Sequence, residues 1–209
     1  MNVFKQQHAM QGRQKKQRRH NMKKDIILCG VGGQGILSVA TIIGEAATKA
    51  GVNLKQAEVH GMSQRGGDVQ SNLRLSTEEI YSDLISKGGC DLIISMEPME
   101  ALRYLPYLSK NGVIVTSNKP FINIPNYPDQ EALFAELNSL PNVVQLDIEK
   151  VAKDAGNPRG ANVVLLGMAA KYLEIVSVDQ LREAIATIFA RKGEAVVEAN
   201  LKCFDAANQ

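Results

Sequence analysis

The sequence predicts a single α/β domain over residues 22–209, a Rossmann-like design. Its sheet is mostly parallel, with an inserted antiparallel hairpin and a helical C-terminal part. Three observations predict it. A short apolar run, Ile26–Cys29, ends in glycines and is followed by helical spacing and then a second strand pattern. Alternation of apolar and polar residues appears over residues 69–75. From Ala161 onward the apolar spacing is helical almost throughout.

Taken in order, Ile26–Cys29 reads as a buried parallel strand. Residues 35–50 place Ile36, Leu37, Ala40, Ile43, Ala47 and Ala50 at helical spacing, and Gly51 is a good helix stop. Leu54–Val59 reads as the next strand, completing a β-α-β opening of a doubly wound sheet. Val69, Ser71, Leu73 and Leu75 then alternate with Gln70, Asn72 and Arg74, the period of a half-buried strand. Residues 79–82 are expected to be its hairpin partner. Leu92–Met96 is a third parallel-type strand, and Pro98 opens a helix, a position that suits proline because its missing N–H is not needed there. Val113–Thr116 is a fourth strand. Residues 117–130, holding Pro120, Pro125 and Pro128, read as a surface loop. A short helix over 131–137, a fifth strand over 143–146, and helices over roughly 161–172, 178–190 and 193–206 complete the chain.

Hydrophobic residues are 44% of the chain and charged residues 22%, the balance of an ordinary globular protein. No apolar run reaches the ~20 residues of a membrane span. The basic N-terminus is followed by no apolar stretch before Ile26, so a secretory signal is not expected and the protein is read as cytoplasmic. The net charge of +2 hides an asymmetry. Residues 1–24 hold eight Lys or Arg and no acid, leaving 16 basic and 22 acidic residues in the remainder, a net of −6. Residues 1–21 are read as a disordered basic tail, and Met22 as a natural start, rather than as a nucleic-acid-binding arm. Cys29, Cys90 and Cys203 are too scattered for a zinc or iron–sulfur signature, and no metal site is expected on this chain.

The sharpest local feature is Gly30-Val31-Gly32-Gly33-Gln34-Gly35, between a strand and a helix. Gly30, Gly32 and Gly35 fit Gly-x-Gly-x-x-Gly, in which glycines permit a tight turn and close approach of a ligand. The helix N-terminus then presents free N–H groups to a phosphate. Glu58, 23 residues after Gly35, sits where a ribose-binding acid would. On these residues alone a dinucleotide site leads. A second glycine-rich loop follows: His60-Gly61-Met62-Ser63-Gln64-Arg65-Gly66-Gly67-Asp68. It leaves the C-terminal end of its strand, the edge at which α/β sheets bind ligands. Arg65 suits a phosphate or carboxylate, and His60 a hydrogen bond or a proton transfer. Asn157 and Asn162 flank the turn Pro158-Arg159-Gly160, which either points at the same edge or caps the next helix. Glu97 either serves a site or caps the helix opened by Pro98.

The two glycine loops together resemble the gamma domain of 2-oxoacid:ferredoxin oxidoreductases. His60-Gly61-Met62-Ser63-Gln64-Arg65-Gly66-Gly67 is similar to the form found in indolepyruvate ferredoxin oxidoreductase beta subunits. Asp91-Leu92-Ile93-Ile94, Glu97-Pro98-Met99-Glu100 and Asn162-Val163-Val164-Leu165-Leu166-Gly167 support the likeness, which spans about residues 24–205. Residues 1–21 depart from it. The resemblance implies a small subunit of an enzyme that converts an aryl-2-oxoacid, coenzyme A and oxidised ferredoxin to an acyl-CoA, carbon dioxide and reduced ferredoxin. It also implies a larger alpha subunit holding thiamine diphosphate, magnesium and iron–sulfur clusters, with ferredoxin docking to the complex. No cofactor is expected on this chain alone, and coenzyme A enters as a co-substrate. The residues expected to face either coenzyme A or the partner subunit are Gly30, Gly32, Gly33, Gln34, Gly35, His60, Ser63, Gln64, Arg65, Gly66 and Gly67. Two other readings stay open at this point: a stand-alone dinucleotide-binding protein, and a non-catalytic scaffold subunit.

Overall fold

The computed structural model describes residues 21–60 and 67–208, with His60 described by its backbone alone. Six strands form one sheet: β1 (Lys23–Val31), β2 (Asn53–His60), β3 (Asp68–Ser76), β4 (Cys90–Ser95), β5 (Leu108–Ser117) and β6 (Val143–Leu146). Their order across the sheet is β2-β3-β1-β4-β5-β6. β4 is parallel to β1, β5 to β4 and β6 to β5. β3 is antiparallel to both of its neighbours, β1 and β2. β2 therefore runs the same way as β1 but lies one strand away from it.

The helices are α1 (Ile36–Lys49), α2 (Pro98–Arg103), α3 (Gln130–Ser139), α4 (Ile148–Asp154), α5 (Ala161–Leu173), α6 (Val178–Phe189) and α7 (Glu194–Ala207). Alternation along the central strands builds two cores. Ile26 and Leu28 of β1 face the larger one, with Leu73, Leu92, Ile94 and the apolar stripes of α1, α5, α6 and α7. Ile27 and Cys29 face the smaller one, with Ile93, Ile114, Ala101 and Tyr104. α5 is buried from Val163 through Ala170. That is why its apolar pattern runs all the way round rather than along one stripe.

The mostly parallel Rossmann-like sheet and the helical C-terminal part are as expected. The antiparallel hairpin is present, but its partners differ from the expected ones. It is formed by β2 and β3, and the segment between them is the second glycine loop. Residues 79–82 form no strand. Arg74 explains why: its guanidinium lies bidentate on Asp25 (Nε to Oδ1 2.8 Å, Nη2 to Oδ2 3.1 Å). Its remaining nitrogen, Nη1, donates to the carbonyls of Ser82 and Leu84 at 3.0 and 3.2 Å. Carbonyls turned toward an arginine are not available for a strand ladder. Asp25 is buried, so this pair is costly to break from one side, typically about 3–5 kcal/mol. One helix was not anticipated. α4 begins on Asp147, whose carboxylate accepts the Lys150 N–H at 2.9 Å, and it buries Ile148 and Ala152.

Candidate functional site

The parallel strands all end at one edge of the sheet, and the loops leaving that edge build the site. Gly30 lies inside β1, where an added Cβ would stand 3.0 Å from both Gln34 Oε1 and Met96 Cβ. Gly33 and Gly35 take φ of +102° and +82°, a left-handed region that side chains disfavour. Gln34 is a brace of the turn: its Oε1 accepts the Val31 N–H at 2.8 Å, and its own N–H donates to the Val31 carbonyl at 3.1 Å. Gly32 N–H donates to the Gly67 carbonyl at 2.8 Å, so the structure brings the two glycine loops together. Ser63, Gln64, Arg65 and Gly66 lie outside the described residues, as does the His60 side chain.

A third segment joins them. Asn162, in the first turn of α5, donates from Nδ2 to the Gly35 carbonyl at 3.1 Å and accepts the Val163 N–H on Oδ1 at 3.0 Å. The start of α5 is thereby tied to the start of α1. Between them is an open cleft of about 620 Å³, lined by the glycine turn, Met96, Phe121, Glu149, Lys153, Arg159 and Asn162 among others. The Pro158-Arg159-Gly160 turn, read from the sequence as either pointing at this edge or capping the next helix, lines the cleft through Pro158 and Arg159, whereas Lys153 was missed because the helix that carries it was itself missed.

The electrostatics of the cleft are set by its helix ends. α1 starts at Gly35 and α5 at Gly160; neither glycine can cap with a side chain, neither helix has an acid in its first turn, and in α5 Asn162 takes only the Val163 N–H. By contrast, α2, α3, α4 and α6 are capped by the side chains of Glu97, Asp129, Asp147 and Ser177. Two open N-termini, each carrying roughly half a positive charge, meet the exposed cations Lys153 and Arg159; Glu149 is the one acid in the lining. The arrangement suits an anion.

Glu97 caps rather than serves the cleft. It is fully buried, its Oε2 accepts the Glu100 N–H at 2.9 Å, and its Oε1 accepts from the Phe121 N–H at 3.3 Å and from the Tyr127 hydroxyl. Burial pushes its carboxyl above the ordinary carboxylate range, against the lowering effect of those donors. The carboxylate thus pins the 117–130 loop beside the site. Glu58 is not positioned for a ribose at the glycine turn. It lies on β2, separated from β1 by the whole width of β3, about 10 Å at ~4.8 Å per strand spacing. Gln56 Nε2 donates to its carboxylate at 2.7 Å. The three thiols do not fit a cluster. All three are buried, and burial raises Cys29 and Cys203 and pushes Cys90 up to about 12, so each is held protonated in the core. Among the described residues, no group of three or more His, Cys, Asp or Glu is placed to hold a metal ion. No described helix is long and apolar enough to cross a membrane.

A glycine-loop cleft at the ends of the parallel strands is the usual ligand edge of an α/β sheet. The chain matches the pyruvate ferredoxin/flavodoxin oxidoreductase family over residues 25–209 and belongs to it. Among individual proteins, it is similar to the indolepyruvate oxidoreductase subunit IorB of Archaeoglobus fulgidus, with 35% identity over 189 residues, 87% of this chain and 92% of that one. Identity to the subunit IorB of Pyrococcus horikoshii is 37% over 190 residues, with the same coverage. In three dimensions it is similar to the gamma subunit of a keto/oxoacid ferredoxin oxidoreductase from Geobacter sulfurreducens. There the TM-score is 0.64 at 26% identity, covering 88% of this chain and 96% of that one.

Proposed function

We propose that this chain is the small subunit of a thiamine-dependent indolepyruvate or arylpyruvate:ferredoxin oxidoreductase, and that its glycine-loop cleft receives the phosphate end of coenzyme A. The overall reaction takes a 2-oxoacid anion, coenzyme A and two oxidised ferredoxins to an acyl-CoA, carbon dioxide, two reduced ferredoxins and a proton. Thiamine diphosphate with magnesium supplies the carbanion chemistry, and iron–sulfur clusters carry the electrons, in a larger partner subunit. The work of this chain is binding and orientation. The relatives at 35–37% identity support the substrate class. The observation that carries the cleft assignment is the convergence of two uncapped helix N-termini with Lys153 and Arg159. Phosphate oxygens satisfy such unpaired N–H groups directly, and arginine adds a forked contact.

The test is steady-state kinetics of the assembled complex with coenzyme A varied. Arg159→Met and Lys153→Met each remove one charge-assisted contact, worth about 1.5–3 kcal/mol. Each is expected to raise the KM for coenzyme A at least about tenfold while changing kcat less. An unchanged KM in the double variant would remove coenzyme A from this cleft.

A further inference from the structure

The cleft has an apolar wall that its charged residues do not explain. Phe121 is the one aromatic residue among the described residues that line it, and it is 44% exposed. A single exposed apolar side chain is ordinary on a protein surface. What sets Phe121 apart is how its backbone is held. It lies four residues past the end of β5, in a segment without regular structure. Before it, the Asn118 N–H donates to the Leu146 carbonyl at 3.0 Å and the Lys119 N–H to Ser117 Oγ at 3.0 Å. The Phe121 N–H itself donates to Oε1 of the fully buried Glu97 at 3.3 Å. After it, the Tyr127 hydroxyl donates to the same oxygen. The loop is thus tied on both sides of Phe121, to β6 and to the start of α2. The ring enters the cleft wall on a backbone that is already in place.

Resting on the functional reading above, we propose that Phe121 recognises the base of coenzyme A, its ring stacking on the adenine, and that Glu97 and Tyr127 are the positioning residues that hold it there. In coenzyme A the adenine and the phosphates are carried by one ribose, so a site that grips the phosphates has the flat base close by. The cleft, about 620 Å³, falls within the ~300–1,000 Å³ of small-molecule sites. Stacking of a base on an aromatic ring is favourable, and a ring anchored beforehand loses little freedom on binding. Charge decides against the other flat anion of the reaction, the aryl-2-oxoacid. Two helix N-termini without an acid in their first turns, together with Lys153 and Arg159, face a single acid, Glu149. That excess suits several phosphate charges rather than one carboxylate.

The experiment measures competitive inhibition of the assembled complex against coenzyme A by two probes. Adenosine 3′,5′-bisphosphate carries the base and two phosphates; pyrophosphate carries two phosphates and no base. Phe121→Ala is expected to weaken the bisphosphate by about fivefold to a hundredfold and to leave pyrophosphate unchanged, and Phe121→Trp to restore the wild-type ratio of the two inhibition constants. Tyr127→Phe keeps the ring and removes only the hydroxyl. It is expected to shift that ratio in the same direction by a smaller factor, whereas a loss of stability alone would not separate the two probes. A wild-type ratio in Tyr127→Phe overturns the positioning role. A wild-type ratio in Phe121→Ala overturns the base assignment alone, provided that the Lys153→Met/Arg159→Met variant weakens both probes. If that double variant weakens neither, the functional reading falls as well. A raised KM for the 2-oxoacid instead of coenzyme A in Phe121→Ala would make the ring a wall for the substrate. Weakened association with the larger subunit would make it an interface residue. Either result overturns the proposal.

Discussion

Gly35 concentrates two demands at one carbon. Its backbone has φ +82°, and an added methyl would stand 3.1 Å from Asn162 Nδ2, the atom that donates to the Gly35 carbonyl. A side chain there both strains the backbone and displaces the bond that ties α5 to the glycine turn. Gly35→Ala is expected to cost about 1–3 kcal/mol. Gly33→Ala, strained at φ +102° but with no atom of the described residues within 4 Å of an added Cβ, is expected to cost less. Thermal denaturation of the two variants checks this; a Gly35→Ala protein melting with wild type would refute it. The spacing of Gly30, Gly32 and Gly35 made the turn visible in the sequence, but not the separate duty of each residue. Gly30 is needed for close packing against Met96, and Gly33 and Gly35 for their backbone angles. The partners of the turn come from far along the chain: Asn162 lies 127 residues from Gly35. No local pattern encodes such a pairing, so the joining of the α5 start to the glycine turn is not legible in the sequence.

Between elements, α5 and α7 pack closely at Gly167. A Cβ on Gly167 would lie 2.2 Å from the Phe204 carbonyl oxygen and 3.1 Å from its carbon, both backbone atoms that cannot step aside. Gly167→Ala is therefore expected to push the helices apart, destabilising by about 1–3 kcal/mol. Gly44, in the middle of α1, has nothing within 4 Å. Gly44→Ala is expected to stabilise by about 0.5–1 kcal/mol, through helix propensity alone. Chemical denaturation of both variants reads the two signs, and a Gly167→Ala protein as stable as wild type would contradict the packing. At this scale the sequence was legible where pattern is local. The α1 stripe, the alternation of β3 and the nearly all-apolar α5 were each recognised by their period. Pairing was not, because alternation in β3 declares a half-buried strand without naming its neighbours. α4 is short, and its one local signal is the Asp147 cap followed by Ile148, Val151 and Ala152.

For the whole molecule, the division of labour proposed above has a direct check. The isolated chain is expected to show no iron–sulfur absorbance and to reduce no ferredoxin, and activity is expected only once the larger subunit is added. Stoichiometric iron in the purified chain alone would refute this. The fold class was legible at this scale because a β-α-β opening and a helical C-terminal half are properties of long segments. The order of strands was not legible, and that order has a consequence for how the protein is made. Among the described strands β1 is synthesised first, yet both of its neighbours, β3 and β4, are synthesised later. When residues 23–60 have emerged, β1 and β2 lie on either side of a vacant slot, and neither can complete its hydrogen bonds on that side. Only the arrival of residues 68–76 closes the gap and fixes the register of all three strands at once. The nascent β-α-β segment is thus not a foldable unit in its own right. The glycine turn acquires its bond from Gly32 to Gly67 in the same event, so the first half of the binding edge is assembled together with the sheet beneath it.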